Sequence, residues 1–85
     1  MRVKVRFFAS YRELVGRREL ELEVAAGATV ADLWRRLGQE FPRLSAISPA
    51  AAVNMEYVPF EVGLHDGDEV AFLPPVSGGG LRFSG

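Results

Sequence analysis

Few side chains in this sequence could carry out acid, base or metal chemistry. The 85 residues include one histidine and no cysteine, which excludes disulfides, thiolate metal sites and a cysteine nucleophile of this chain's own. His65 stands in a turn beside Asp66 and Asp68, and three polar neighbours in a turn do not make a metal site without further ligands. A serine nucleophile would need His65 as its base in a chain too small to enclose a pocket. We therefore predict no bound metal and no independent catalysis.

The C-terminal segment could take part in chemistry in another way, as a chain end that enters the site of another protein. Pro74 and Pro75 lead into Val76, Ser77 and two glycines, Gly78 and Gly79. A Gly-Gly segment can pass through a narrow channel that any Cβ would block, and proline restricts the chain leading into it. A frayed glycine-rich terminus is the other interpretation. We predict a folded domain over residues 1–77 and a flexible tail over residues 78–85.

Large apolar side chains stand on two predicted polar faces. Phe8 continues the charged face of the first predicted strand, and Leu73 has the opposite parity to Val70 and Phe72. Both are therefore predicted to be exposed, and Tyr57 would join them if its strand turns the next residue inward. An exposed apolar cluster marks a binding site only when it is contiguous over a few hundred Å2. The sequence leaves open whether this one is.

Two N-terminal strands are predicted from alternation. From Arg2 to Phe8 the valines and Phe7 point one way and the basic residues the other, while from Glu19 to Val24 the polar face is acidic. If the two strands pair antiparallel, the basic row lies opposite the acidic row, and each good pair favours that register by ~0.2–1 kcal/mol. Two solvated faces without specific pairs are the alternative.

Two helices and further strands complete the predicted elements. A short helix runs from Ser10, its candidate N-cap, to Gly16. A longer one begins at Thr29, with Asp32 as a weak capping box, and Pro42 ends it. Its apolar stripe comprises Val30, Leu33, Trp34, Leu37 and Phe41. A loop over Ser45–Pro49, short strands or a bent hairpin over Ala51–Asn54 and Glu56–Val58, and a last strand over Glu69–Leu73 follow.

This order of elements predicts an α+β domain in which one main helix packs across a mixed sheet, as in the β-grasp or ubiquitin-like roll. Trp34 and Phe41 are then predicted to be core residues that face the sheet. Stacking against a cofactor is the second interpretation. The net charge is -1 and no block of like charge occurs, so nucleic acid is an unexpected partner. No phosphate-binding glycine motif, no signal peptide and no apolar run near 18 residues is present. We expect a cytoplasmic protein without a membrane partner.

The residues resemble a known family, the sulfur-carrying small subunits of molybdopterin synthase, which are MoaD-type, ubiquitin-like proteins related to ThiS. The matching segments are Val5-Arg6-Phe7-Phe8-Ala9, Arg12 to Gly16, Thr29-Val30 with Leu33, Val53-Asn54, and Leu64 to Gly79. The first segments are weak motifs alone. The last is specific, because Asp66-Gly67-Asp68-Glu69-Val70 precedes Pro74-Pro75-Val76-Ser77-Gly78-Gly79.

The resemblance implies a carrier rather than an enzyme. A C-terminal glycine carboxylate would be activated by an E1-like adenylating enzyme with ATP and converted to a thiocarboxylate by a sulfur donor protein. The tail would then enter the large synthase subunit and give its sulfur to cyclic pyranopterin monophosphate, which becomes part of the molybdenum cofactor. Carried over by motif, Gly79 would bear the sulfur. The partner-binding residues would be Phe8, Tyr57, Leu73, Pro74, Pro75, Val76, Ser77 and Gly78.

The tail departs from the family pattern. The second glycine of the motif is normally the last residue, whereas Gly80 to Gly85 follow Gly79 here. The resemblance therefore implies trimming after Gly79, or after Gly80 if an extra glycine is tolerated. Other interpretations remain: a sulfur carrier for thiamin or tRNA thiolation, a ubiquitin-like modifier joined to lysines, or an interaction module that never carries sulfur.

Overall fold

A computed structural model describes residues 1–46 and 48–73 of the chain. In chain order its elements are β1 (Arg2–Phe7), α1 (Ser10–Val15), β2 (Glu19–Glu23), α2 (Val30–Glu40), a 3-10 helix (Pro42–Ala46), β3 (Ala50–Val53), β4 (Glu56–Val58) and β5 (Glu69–Leu73). The predicted α+β class, with one main helix and a mixed sheet, is confirmed. The tail predicted over residues 78–85 lies outside the described residues.

The described strands form one sheet in the order β2-β1-β5-β3-β4. β1 and β5 run parallel at its centre, and the remaining neighbours run antiparallel. The first and last described strands are therefore adjacent, and β5 ends beside the end of β1. The last described residue, Leu73, pairs with Ala50 at the start of β3.

The register of β1 and β2 is the one that the charge pattern predicts. Arg2 pairs with Glu23, Lys4 with Glu21 and Arg6 with Glu19 across the ladder. Arg2 Nη2 lies 3.5 Å from Oε1 of its ladder partner Glu23. Lys4 and Arg6 form diagonal ion pairs instead: Lys4 Nζ lies 3.9 Å from Glu19 Oε2, and Arg6 Nη1 lies 3.1 Å from Glu69 Oε2 on β5. All these groups are exposed, so each pair contributes about 0–1 kcal/mol. Together, the opposed basic and acidic rows favour this register over registers that are shifted along the strands.

The core lies between the inner face of the sheet and α2. Val3, Val5 and Phe7 of β1 are buried, as their alternation predicts. Trp34 on α2 is half-buried, and its ring centroid lies 4.7 Å from that of Phe72 and 5.6 Å from that of Tyr11. The predicted core role of Trp34 is confirmed. No helix in the described part of the chain is long and apolar enough to span a membrane.

The N-terminus of α2 carries the predicted capping box. Thr29 Oγ1 accepts a hydrogen bond from the Asp32 amide at 3.1 Å, and the Thr29 amide donates to Asp32 Oδ2 at 3.0 Å. The hydrogen bond from the Thr29 amide is the main cause that lowers the pKa of the Asp32 carboxyl, and the hydrogen bond with the Thr29 hydroxyl lowers it further. A lowered carboxyl pKa contributes stability at neutral pH, and this contribution is lost as the pH falls through the lowered pKa.

Replacing Thr29 with alanine is expected to lower the free energy of unfolding by about 1 kcal/mol, because the Asp32 amide loses its side-chain acceptor. Urea denaturation at neutral pH measures this change. Thr29→Ser keeps the hydroxyl and serves as the control, which should retain most of the stability. Equal stabilities for the alanine and serine variants would contradict the capping assignment.

Two sequence predictions about helix ends are corrected. Ser10 is the first residue of α1 and makes no capping hydrogen bond; the N-cap is Ala9, at φ 53° and ψ -130°. Backbone carbonyls replace the side-chain cap, since the Tyr11 amide donates to Phe8 O and the Arg12 amide to Ala9 O, both at 3.1 Å. The predicted loop that starts at Ser45 begins inside the 3-10 helix, which Pro42 opens. Proline is tolerated at a first helical position because that amide lacks a helical partner anyway.

Candidate functional site

The outer face of the sheet holds an apolar depression that runs along β5 from Glu69 to Leu73. It encloses about 270 Å3. The residues that line it, called here the apolar depression, are Arg6, Phe8, Ala52, Met55, Tyr57, Glu69, Ala71 and Leu73. They come from β1, β5, β3 and β4 and from the turn between β3 and β4, so only the folded sheet brings them together.

Two alanines form the floor of the depression. Across the ladders Arg6 pairs with Ala71, Ala71 with Ala52, and Ala52 with Tyr57. Residues paired in this way point to the same face of a sheet. Small residues at the two middle positions and large ones at the ends make the face concave. A convex apolar side chain of a partner could fill such a surface.

Large apolar side chains stand around this floor. Phe8 is 38% exposed, Tyr57 43% and Met55 96%, and these three are the large exposed hydrophobic residues of the described chain. The exposure predicted for Phe8 is confirmed. Leu73 is half-buried rather than exposed, because β3 continues the sheet beside it, with Ala50 as its ladder partner. Desolvation raises the pKa of the Tyr57 phenol, a group that is neutral at physiological pH even at its ordinary pKa.

The turn that carries Met55 is held in place by hydrogen bonds of the Asn54 side chain. Asn54 and Met55 have φ values of 50° and 72°, the left-handed pair that two-residue hairpin turns adopt. The Asn54 side chain donates to Asp68 Oδ1 at 2.9 Å and accepts from the Glu69 amide at 3.0 Å. These bonds offset the strain of the left-handed turn and hold Met55 at the rim. Sequence reasoning missed Met55, although two residues between two short strands are a hairpin signal.

An ion pair lies at the border of the apolar depression. Arg6 Nη1 contacts Glu69 Oε2 at 3.1 Å, and the Arg6 guanidinium carbon lies 5.7 Å from the centroid of the Phe8 ring. The cation therefore both balances the carboxylate and stacks against the ring, which orders Phe8. A partner that covers Phe8 meets no unpaired charge at this point of the rim.

The turn around His65 is structural. The Arg2 amide donates to Asp66 Oδ1 at 2.7 Å, and the His65 amide donates to Asp68 Oδ2 at 2.8 Å. The two carboxylates are thus occupied by backbone groups, and the His65 side chain is 87% exposed. Among the described residues, no group of three or more histidine, aspartate or glutamate side chains could hold a metal ion.

The fold brings together the three predicted docking residues that it describes, Phe8, Tyr57 and Leu73, at one depression. Their role in binding a partner stays a prediction. The remaining predicted site residues, Pro74 to Gly79, lie outside the described residues. In the sequence they follow Leu73, which lines the depression.

Comparison with known proteins gives a family match over most of the chain. The model of the ThiS family matches residues 5–79. The molybdopterin synthase sulfur carrier subunit of Escherichia coli K12 is 44% identical over 81 residues, with 91% of this chain and 99% of the relative covered. The protein of the same name from Chlamydomonas reinhardtii is 40% identical over 83 residues, with 93% and 100% covered. Small archaeal modifier protein 3 of Haloferax volcanii is 35% identical, with 93% and 100% covered.

Solved structures show the same fold. Subunit 1 of a molybdopterin converting factor from Pyrococcus furiosus superposes with a TM-score of 0.84 at 34% identity, over 89% of this chain and 99% of that one. A chain from the complex of subunits 1 and 2 of the Helicobacter pylori molybdopterin-converting factor superposes with a TM-score of 0.65 at 29% identity, over 93% and 100%. Two-subunit assembly is therefore known for a protein of this fold and similar sequence.

Proposed function

Because the chain belongs to the ThiS family, we propose that it is the sulfur-carrier subunit of a molybdopterin synthase. The observation that carries the proposal is similarity to named carrier subunits along nearly their whole length, 44% identity over 99% of one relative. The family match ends at Gly79, the second glycine of the tail motif. This supports Gly79 as the residue that bears the sulfur.

The chemistry needs only a chain end from this protein. A carboxylate is a poor electrophile, so an E1-like adenylating enzyme joins the Gly79 carboxylate to the α-phosphate of ATP and releases pyrophosphate. Hydrosulfide released from a donor protein then attacks the acyl carbon, AMP leaves, and a thiocarboxylate remains. In the synthase each thiocarboxylate gives one sulfur to cyclic pyranopterin monophosphate, so two loaded carriers supply the two sulfurs of the dithiolene, and water returns each glycine to a carboxylate. The chain acts in the cytoplasm as a non-catalytic subunit, and ATP is used by its partner.

The apolar depression is the proposed docking surface for the large synthase subunit. Its exposed rings, Phe8 and Tyr57, supply the aromatic anchors that dominate interface energetics. Leu73, which lines the same surface, is six positions before Gly79 in the chain. Docking there would bring Gly79 close to the partner. A folded carrier loses less entropy on binding than a free peptide would.

Replacing Phe8 with alanine is expected to weaken binding to the large subunit about 30-fold, because truncating a central interface aromatic costs ~2 kcal/mol. Calorimetric titration of the purified large subunit measures the change. Phe8→Leu, which keeps an apolar side chain, is the control and should retain most of the affinity. Equal affinity of the wild-type chain and the alanine variant would show that the depression is not the docking surface.

Two further functions share the fold and the tail. The chain could instead carry sulfur for thiamin or tRNA thiolation, or be attached to lysines as a modifier. The similarity to the Haloferax volcanii modifier protein favours the last of these as the second candidate. Copurification from the native cell separates the two. Capture of the synthase large subunit supports the carrier, whereas a ladder of lysine-linked conjugates supports the modifier.

A further inference from the structure

Three arginines gather at the end of the sheet where the chain leaves β5. Arg12 lies on α1, and Arg17 and Arg18 lie in the bend that leads to β2. The Phe7 amide donates to Arg18 O at 2.9 Å, and Phe7 pairs with Phe72 across β1 and β5. Two strand spacings, about 10 Å, therefore separate the backbones of Arg18 and Phe72. These residues are called here the arginine cluster.

The arginine cluster is electrostatically uncompensated. All three side chains are exposed, and none has a carboxylate within 4 Å among the described residues. The basic residues of the outer sheet face differ, since Arg2, Lys4 and Arg6 each have a carboxylate partner there. One acidic residue, Glu13, shares α1 with Arg12. A protein with a net charge of -1 thus presents a positive surface beside the origin of its tail.

The opposite end of the sheet carries charges of both signs. Asp66 and Asp68 lie in the turn that precedes β5, and Glu23 ends β2. The N-terminal ammonium and Arg2 form ion pairs with Glu23, and the Arg36 guanidinium donates to the Glu23 carbonyl oxygen. Acidic and basic groups therefore balance at that end, unlike at the arginine cluster. An uncompensated positive surface orients a protein as it approaches an acidic partner.

We propose that the arginine cluster docks against an acidic protein surface at the mouth of the slot that receives the tail on the large synthase subunit. This inference rests on the proposed function. The cluster cannot serve the nucleotide used in activation, because the six residues that follow Leu73, up to Gly79, would span about 20 Å if extended as a slot requires. That length exceeds the reach of an arginine side chain, so the cluster meets the rim of the slot.

The expected consequence is faster association. Long-range attraction raises the rate of productive encounters and is screened beyond ~8 Å at physiological ionic strength. A surface that acts in this way changes the association rate constant and its salt dependence, while the dissociation rate constant depends on short-range packing in the apolar depression. The two surfaces can therefore be separated by kinetics.

The test is stopped-flow association of the chain ending at Gly79 with the purified large subunit at low and physiological ionic strength. The variant Arg17→Gln with Arg18→Gln is expected to associate about 10-fold more slowly at low salt, with a flatter salt dependence and a dissociation rate within about 2-fold of wild type. The control, Arg2→Gln with Arg35→Gln, removes the same charge from exposed positions away from the arginine cluster. It should associate nearly as fast as wild type.

The outcomes distinguish this inference from the function on which it rests. If wild type binds and the cluster variant matches the control at both salt concentrations, the cluster is not a docking surface, and the proposed function stands. If wild type associates at a rate independent of salt, the inference is again wrong. If the wild-type chain does not bind the large subunit at all, the proposed function fails and this inference falls with it. Thermal unfolding of each variant confirms that the domain is folded.

Discussion

A chain that ends at Gly79 is expected to gain a thiocarboxylate when it is incubated with ATP, the adenylating enzyme and a sulfur donor, whereas the chain that runs to Gly85 is not. In the longer chain Gly79 is followed by Gly80 to Gly85, so its carbonyl is part of a peptide bond and offers no carboxylate oxygen to ATP. We expect complete loss of the product. Intact-mass spectrometry measures it as the replacement of one oxygen by sulfur.

The same experiment identifies the site of trimming. A chain that ends at Gly80 tests whether one extra glycine is tolerated, and the intact mass of the protein from its native cell shows which end is used there. We expect a species that ends at Gly79. Detection in that cell of only species that extend beyond Gly80, or sulfur loading of the chain that ends at Gly85, would defeat the trimming proposal.

The second large effect is expected from Gly79→Ala in the trimmed chain. A channel that admits two glycines leaves no room for a methyl group beside the reacting carboxylate. A misplacement of about 1 Å at a reacting group can slow a reaction about 100-fold, and we expect at least this reduction in sulfur transfer by the synthase. Single-turnover conversion of the loaded carrier measures the rate.

Gly63→Ala is the matched control for this substitution. A Cβ built at Gly63 has no atom within 4 Å, and its φ is not in the left-handed region, so the folded domain accommodates the change. The Gly63 variant should transfer sulfur at the wild-type rate. An unchanged rate for Gly79→Ala would count against every model in which this chain end is the carrier.

The register of β1 with β2 follows from local patterns in the sequence, and the ion pair between β1 and β5 does not. Alternation in β1 and β2 identifies their buried faces and the opposed charged rows, because side-chain direction in a strand has a period of two. The pair between Arg6 and Glu69 joins residues 63 positions apart in sequence. It depends on the parallel pairing of β1 with β5, which no local pattern reveals.

The candidate site was partly predictable for the same reason. Parity alone identifies Phe8 as an apolar residue on a polar face, since the other residues of that strand fix the direction of its side chains. Tyr57 and Leu73 depend on short strands whose neighbours decide their exposure, and Leu73 is half-buried because the sheet continues beside it. Met55 enters the site through a hairpin turn held by Asn54, and the arginine cluster through the packing of α1 at the end of the sheet. Both arise from tertiary contacts.

The most direct test of the carrier assignment is sulfur transfer in a defined mixture. The chain ending at Gly79, loaded as its thiocarboxylate, is mixed with the purified large synthase subunit and cyclic pyranopterin monophosphate, and molybdopterin is quantified. The carrier assignment predicts formation of molybdopterin with loss of the sulfur from the chain. Retention of the thiocarboxylate and no molybdopterin, in a mixture where the carrier of Escherichia coli is active with its own large subunit, would contradict it.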